Sequence, residues 1–412
     1  MNQYMKRRRN VMERIGAAEM MILYSGQSVP ATMDECYPFE VNHHFFYLTG
    51  IRRENMALVI SRTGAEMKEI LFIEEPVPAM ERWTGRRLTC DEAREISGVQ
   101  DVRYIDALPS YLGRCAARES LEAAWFDCYR DAMTDSDSYN MRMAKAFASA
   151  YPTVTLKNAH PVLAAMRMVK DEAETAAIRH AVDLTDKGLR RVLSVLRPGM
   201  LEYQAQAEFE YTIRMNGAEG TAFPTIAGSG INGCMLHYGT NHCVMQEGSL
   251  LLMDLGAKAD GYCADITRTY PVSGRYSPRQ KQIYDIVLRA NQTVTRAARP
   301  GLTLVQLNDI CRKVLADGLM EIGLIASADE LGKYYMHSVS HHLGIDTHDA
   351  VAASKAPLEP GMVITNEPGL YIDEEEIGIR IEDDLLITQD GCLVLSADIP
   401  RTTEDIEALM QR

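Results

Sequence analysis

Asp254, Asp265, His341, Glu367 and Glu382 succeed one another through the C-terminal half of a 412-residue chain. All five are metal-ligand types. Four carboxylates and an imidazole are costly to gather in one place unless a cation neutralises them. Their settings are MDLGAKADGYCADITRTY (253–270), HSVSHHLGIDTHD (337–349), NEPGLY (366–371) and RIEDD (380–384).

Asp260-Gly261 is a hairpin turn signal. A hairpin folded there brings Asp254 and Asp265 nearly opposite each other on one sheet face, where like charges repel without an ion between them. Glu367 ends an apolar run just before the Pro368-Gly369 turn. Glu382 lies in a strand, and Arg380 falls on the same face two residues earlier, where it can hold a carboxylate. His341 belongs to a cluster with His337, His342 and His348, four of the ten histidines within twelve residues. That density favours ligand or acid–base chemistry over a lone core histidine. Oxygen ligands with one nitrogen suit Mn²⁺, Co²⁺ or Zn²⁺. Four carboxylates exceed the charge of one such ion, so two divalent ions are expected. Two close metals would hold a bridging water and lower its pKa. Cys263, between the two aspartates, is expected to be a filler, because hard carboxylate sites seldom add one thiolate.

The elements that must position these residues read as α/β (α+β). Residues 1–155 alternate strands (20–25, 57–61, 69–74, 102–106, 123–127) with helical stretches (7–15, 140–151), predicting an N-terminal mixed-sheet domain. Residues 156–412 open with long helical periods and a helix over 201–216. Strands are expected at 222–229, 234–239, 249–258 and 262–272. A helix pair (278–298, 303–322) then precedes strands at 362–367, 369–373, 378–388 and 392–395. Helix, RPG, helix, strands occurs twice, hinting at an internal duplication.

A net charge of −14 argues against non-specific nucleic-acid binding. The basic run Lys6-Arg7-Arg8-Arg9 reads as a solvated helix face. Glu13, Arg14 and Glu19 interrupt any secretory apolar segment, and no stretch approaches a membrane span. Nine scattered cysteines without a CxxC pair look like reduced thiols, so a cytoplasmic location is expected.

With LHY (236–238) added, these ordered motifs resemble the pita-bread metallopeptidases over roughly 160–400. MDECYPFEVNHHFFYLTGI (33–51) and ERWTGRRL (81–88) resemble the creatinase-like N-terminal domain of aminopeptidase P. The resemblance implies an Xaa-Pro aminopeptidase acting on peptides with proline second, with two divalent ions, Mn²⁺ first among them. It implies that Asp254 chelates one metal, His341 and Glu367 the other, and that Asp265 and Glu382 bridge both. Glu367 would also be the general base. His237 and His337 would stabilise the gem-diolate, and His348 would contact the substrate. Asp34 would hold the free amine, while Trp83 and Tyr371 wall a proline pocket. His342 departs from the family's frequent aromatic and bears on pocket shape. A homodimer or homotetramer is implied, with N-terminal domains helping to cover a neighbour's site. Prolidase is the rival; Arg82, Arg86, Arg87, His43 or His44 would then supply charge for a dipeptide carboxylate. A non-catalytic binding module is the reading from another class.

Overall fold

A computed structural model describes residues 2–63, 66–118, 121–353 and 355–411. The chain divides into two compact units, Met1–Met166 and Arg167–Arg412. Residue 155, near which the boundary was expected, begins a strand that completes the first sheet.

That sheet has six strands in the order β4-β3-β2-β1-β5-β6: β1 (Ala18–Tyr24), β2 (Ala57–Thr63), β3 (Glu66–Ile73), β4 (Asp101–Tyr104), β5 (Ala123–Phe126) and β6 (Thr155–Asn158). It is mixed, as expected: β1 runs antiparallel to β2 and parallel to β5. The last five residues of β1 are all buried, so both sheet faces are covered. One face packs Ile22, Val59 and Phe72 with Leu112, Phe126 and Phe147.

The basic run is solvated only at Lys6 and Arg9. Arg7 and Arg8, on the helix Gln3–Met12, are 4% and 0% exposed. Helices His43–Thr49 and Cys90–Ser97 each end on carbonyls lacking an intrahelical partner. Arg8 Nη1 donates to two of them, Leu48 O (2.8 Å) and Ser97 O (2.9 Å). Its Nε donates to Glu69 Oε2 at 2.8 Å. The guanidinium is thus a cap shared by two helices. Arg8→Met keeps the apolar stem but strands these acceptors, and is expected to cost about 3 kcal/mol in urea unfolding. A loss under about 0.5 kcal/mol would return the run to the surface.

In the second unit two helix pairs each precede a set of strands. Glu172–Val195 and Glu202–Met215 lead to β7 (Gly220–Thr221), β8 (Ile226–Ser229), β9 (Leu250–Leu255), β10 (Ala257–Ala259), β11 (Tyr262–Cys263) and β12 (Ile266–Pro271). Pro278–Ala297 and Leu304–Glu321 lead to β13 (Val363–Asn366), β14 (Gly369–Ile372), β15 (Ile377–Arg380), β16 (Asp383–Ile387) and β17 (Cys392–Val394). The repeated order matches the hinted duplication. The strand expected at 234–239 is absent. Gly230–Cys234 makes a 3₁₀ turn instead, and the chain onward to Thr240 is irregular.

Each half supplies one interrupted hairpin. In the first, Asp260 (φ 52°) and Gly261 (φ 83°) form the tip; left-handed backbone at both positions marks the type I′ turn. Ala259 pairs with Tyr262 and, beyond a break, Leu255 pairs with Ile266. The register is unchanged across the break. Asp254 therefore faces Thr267, and Asp265 sits diagonally from it on the same face, opposite Gly256. A Cβ at Gly256 would stand 1.7 Å from Ala264 O, so only glycine allows the strands to close there. In the second hairpin, Asn366 pairs with Asp383 and Gly369 with Arg380, which leaves Glu367 opposite Glu382.

Candidate active site

The two hairpins are tied together at these carboxylates. Glu382 N donates to Thr267 O (3.0 Å), and Arg380 N to Thr269 Oγ1 (3.2 Å). The histidine segment runs alongside β13: Thr365 N donates to His341 O (2.9 Å), and Glu367 N to Val339 O (2.9 Å). These pairings aim Asp254, Asp265, His341, Glu367 and Glu382 into one cavity of about 860 Å³. His237, His337, His348 and Arg380 also line it.

The ligand atoms of Asp265, His341 and Glu382 lie within 4.8 Å of one another. His341 Nδ1 is 3.1 Å from His342 O, a carbonyl that fixes the Nδ1–H tautomer. Its Nε2 lone pair therefore faces Asp265 Oδ2 (3.4 Å) and Glu367 Oε1 (3.6 Å). Asp254 Oδ2 accepts from Arg380 Nη2 at 2.6 Å, while its buried Oδ1 makes no hydrogen bond among the described residues. Glu382 Oε2 accepts from Thr267 Oγ1 at 2.7 Å, and Thr267 Oγ1 accepts from Arg380 Nε at 3.1 Å. Thr267 is a part of the site that sequence reasoning missed; its position opposite Asp254 was the signal.

The electrostatics fit divalent cations. Burial, reinforced by Asp254, pushes the Asp265 carboxyl well above its usual range. Burial and the neighbouring Asp265 and Glu367 do the same to Glu382. Burial raises Glu367 to about 7, with His341 and Arg380 opposing it. A carboxyl held high in the folded state stabilises below its unfolded pKa, and that stability is lost as pH rises through the folded value. Chelator-treated protein is therefore expected to have a lower thermal midpoint at pH 8 than at pH 5.5. Adding a divalent cation should close or invert that gap, because cations favour the ionised carboxylates. A metal-free midpoint that rises over this interval would contradict the electrostatics.

The histidines differ. Burial, with Arg380 nearby, lowers His337 to about 4, so it is neutral near pH 7. Its Nδ1 lies 2.8 Å from Ser338 O and 3.7 Å from Glu367 Oε2, and its Nε2 lies 2.8 Å from Tyr371 Oη. His348, exposed as a residue, sets its ring edge-on to His341 at 4.3 Å; partial desolvation of the imidazole and His341 lower its pKa. His237 is exposed at the cavity.

Several expectations change. Tyr371 does not wall the cavity: it is 1% exposed and sits behind the lining, bonded to His337 and to Arg380 Nη1 (2.8 Å). Arg380 holds a carboxylate, as expected: it grips Asp254, and also Tyr371 and Thr267, so its donors serve the site's own frame. His342 alternates away from His341, is buried, and does not line the cavity. Cys263 is a filler, as expected; its buried thiol lies 3.3 Å from Ile345 O, and burial pushes it up to about 12. Asp34 and Trp83 are exposed residues of the first unit, Trp83 at 87%. The apolar lining instead comes from Phe223, Pro224, Ile226 and Leu236. The Phe-Pro pair just ahead of the LHY motif was the available signal.

Comparison with known proteins accounts for both units. Metallopeptidase family M24 matches residues 176–389, and the aminopeptidase P N-terminal domain matches 4–123. The Xaa-Pro aminopeptidase of Escherichia coli K12 is 33% identical, over 99% of this chain and 97% of its own. A Bacillus anthracis structure described provisionally as an aminopeptidase P superposes with a TM-score of 0.97 at 40% identity, covering 99% and 98% of the two chains. E. coli aminopeptidase P with the inhibitor Pro-Leu gives 0.90 at 32%, covering 99% and 97%. This chain belongs to metallopeptidase family M24, in its aminopeptidase P branch with the pita-bread catalytic fold, and is a metal-dependent hydrolase.

Proposed function

We propose that this enzyme releases the first residue from peptides whose second residue is proline. The observation that carries the reading is the complete carboxylate–histidine set in one cavity, on a chain matched nearly end to end by Xaa-Pro aminopeptidases. Asp254, Asp265, His341, Glu367 and Glu382 would hold two divalent ions, Mn²⁺ by preference over Co²⁺ or Zn²⁺. Bound there, such ions lower the pKa of water and polarise the scissile carbonyl. Glu367, whose Oε2 lies 3.7 Å from His337 Nδ1, is placed to accept a proton and return it. His237 and His348 present imidazoles to the substrate, and His337 is held neutral by burial and Arg380 and oriented by Ser338 O and Tyr371 Oη. Phe223, Pro224 and Leu236 offer an apolar wall to a proline ring, whose missing N–H demands no hydrogen bond.

Of the five basic residues that a dipeptidase could use, four have partners within the first unit. Arg86 pairs with Glu92, Arg87 with Glu74, and His43 lies 3.0 Å from Glu40. His44 is buried against His160. A homodimer or homotetramer would let exposed Asp34 and Trp83 serve a neighbouring copy's cavity. Free thiols at all nine cysteines support a reducing, cytoplasmic setting.

With Mn²⁺ supplied, an Xaa-Pro-Yaa tripeptide is expected to be cleaved and the matching Xaa-Pro dipeptide left largely intact. Glu367→Gln should reduce tripeptide turnover by roughly 10³-fold or more. Cleavage of the dipeptide alone would transfer the reading to prolidase.

A further inference from the structure

We propose that the first unit carries a second divalent-cation site, for Zn²⁺, built by His44, Asp127 and His160. The reading is independent of the peptidase assignment. Three segments distant in sequence converge there: the start of helix His43–Thr49, the residue following β5, and the start of helix His160–Met168. One ligand atom from each lies within 4.8 Å of the other two. His44 Nε2 is 3.1 Å from His160 Nδ1, and His160 Nδ1 is 3.8 Å from Asp127 Oδ1. Ligand atoms around a tetrahedral zinc at about 2.0–2.1 Å stand roughly 3.3 Å apart, so the observed spacings bracket what the ion requires. Little movement would admit it.

The surroundings are those of a built site. Asn42 Nδ2 donates to Asp127 Oδ2 at 2.7 Å and Tyr129 N to Oδ1 at 3.3 Å, which orients the carboxylate with Oδ1 toward His160. Tyr129 stacks on the His160 ring at 4.3 Å and fixes its plane. His44 and Asp127 are 3% and 8% exposed, so a bound ion would be partly desolvated and held strongly. The His160 side chain keeps 14% exposure, enough for exchange and for a water as fourth ligand. The two imidazoles lie within direct hydrogen-bond reach, whereas His160 Nδ1 and the carboxylate, at 3.8 Å, do not. A cation would be ligated by all three at once. Two imidazoles with one carboxylate favour zinc over the harder ions that suit an oxygen-rich set.

Such an ion would staple the helix His43–Thr49 to the end of β5 and to the helix His160–Met168. It would stabilise the fold without touching peptide chemistry. The test is zinc bound per chain, by mass spectrometry after equilibrium dialysis, for the wild type, His160→Gln and Asp127→Asn. Both variants are expected to bind one equivalent fewer while keeping Mn²⁺-dependent activity. Zinc-edge anomalous scattering from wild-type crystals needs no variant and should show a peak within about 2.3 Å of all three ligand atoms. Equal zinc content in folded variants, or no peak among the three side chains, overturns the proposal and leaves a histidine–histidine hydrogen bond.

Discussion

Glu382→Gln is expected to move activity and metal-free stability in opposite directions. Glu382 is 2% exposed, and Asp265, Glu367 and Asp254 all press on its carboxyl. An amide neither carries charge to a cation nor bridges two of them. Metal content should fall, and kcat/KM should drop by roughly 10³-fold or more. In chelator-treated protein the same change relieves a buried, crowded acid while keeping its shape. Stability at pH 8 should then rise by about 1–3 kcal/mol. Parallel urea titrations of metal-free wild type and variant, with metal analysis alongside, read both effects. A variant that is inactive and also less stable without metal would mean that Glu382 is a packing residue.

Arg268→Leu should be the most damaging single change outside the ligands. Arg268 is fully buried and its Nη2 pairs with fully buried Asp383 at 2.8 Å. It also donates to Pro400 O and Thr267 O (both 2.9 Å) and to Glu382 O. It therefore fixes the backbone of the residue that carries one ligand and joins the two hairpins. Losing it leaves Asp383 to Arg401, Asn291 and Ser396. A loss of about 3–5 kcal/mol is expected, the usual result of removing one partner of a buried pair. Arg268→Leu with Asp383→Leu should recover part of it, because no fully buried charge is then abandoned and Arg401, 19% exposed, can still reach water. No recovery would assign the loss to the carbonyl contacts alone.

The site was legible in its residue types because their chemistry is local to short motifs. The first ligand pair was also legible in geometry, since Asp260-Gly261 fixes the turn and alternation places both aspartates on one face. The second pair was not. Pro368 breaks the strand beside Glu367, and nothing in the sequence says that register resumes beyond it. Burial of Arg8 was equally invisible, because the carbonyls it caps belong to helices about 40 and 89 residues away. The resemblance implies Tyr371 as a wall, yet β14 turns that ring inward to hold His337 and Arg380. The first unit's strands were readable from apolar runs. Its last, β6, was not, being short and mostly exposed.

Both hairpins hold register across an interruption, so the ligands depend on parity along the chain. One residue inserted between Leu255 and the Asp260–Gly261 tip would send Asp265 through the sheet to its far side. The same insertion at the tip would change the loop and spare the arms. Length variation tolerated in this protein should therefore collect at the two tips, at 260–261 and 373–376, and be excluded from the arms between tip and ligand. In these arms, counting residues matters more than which residues are counted.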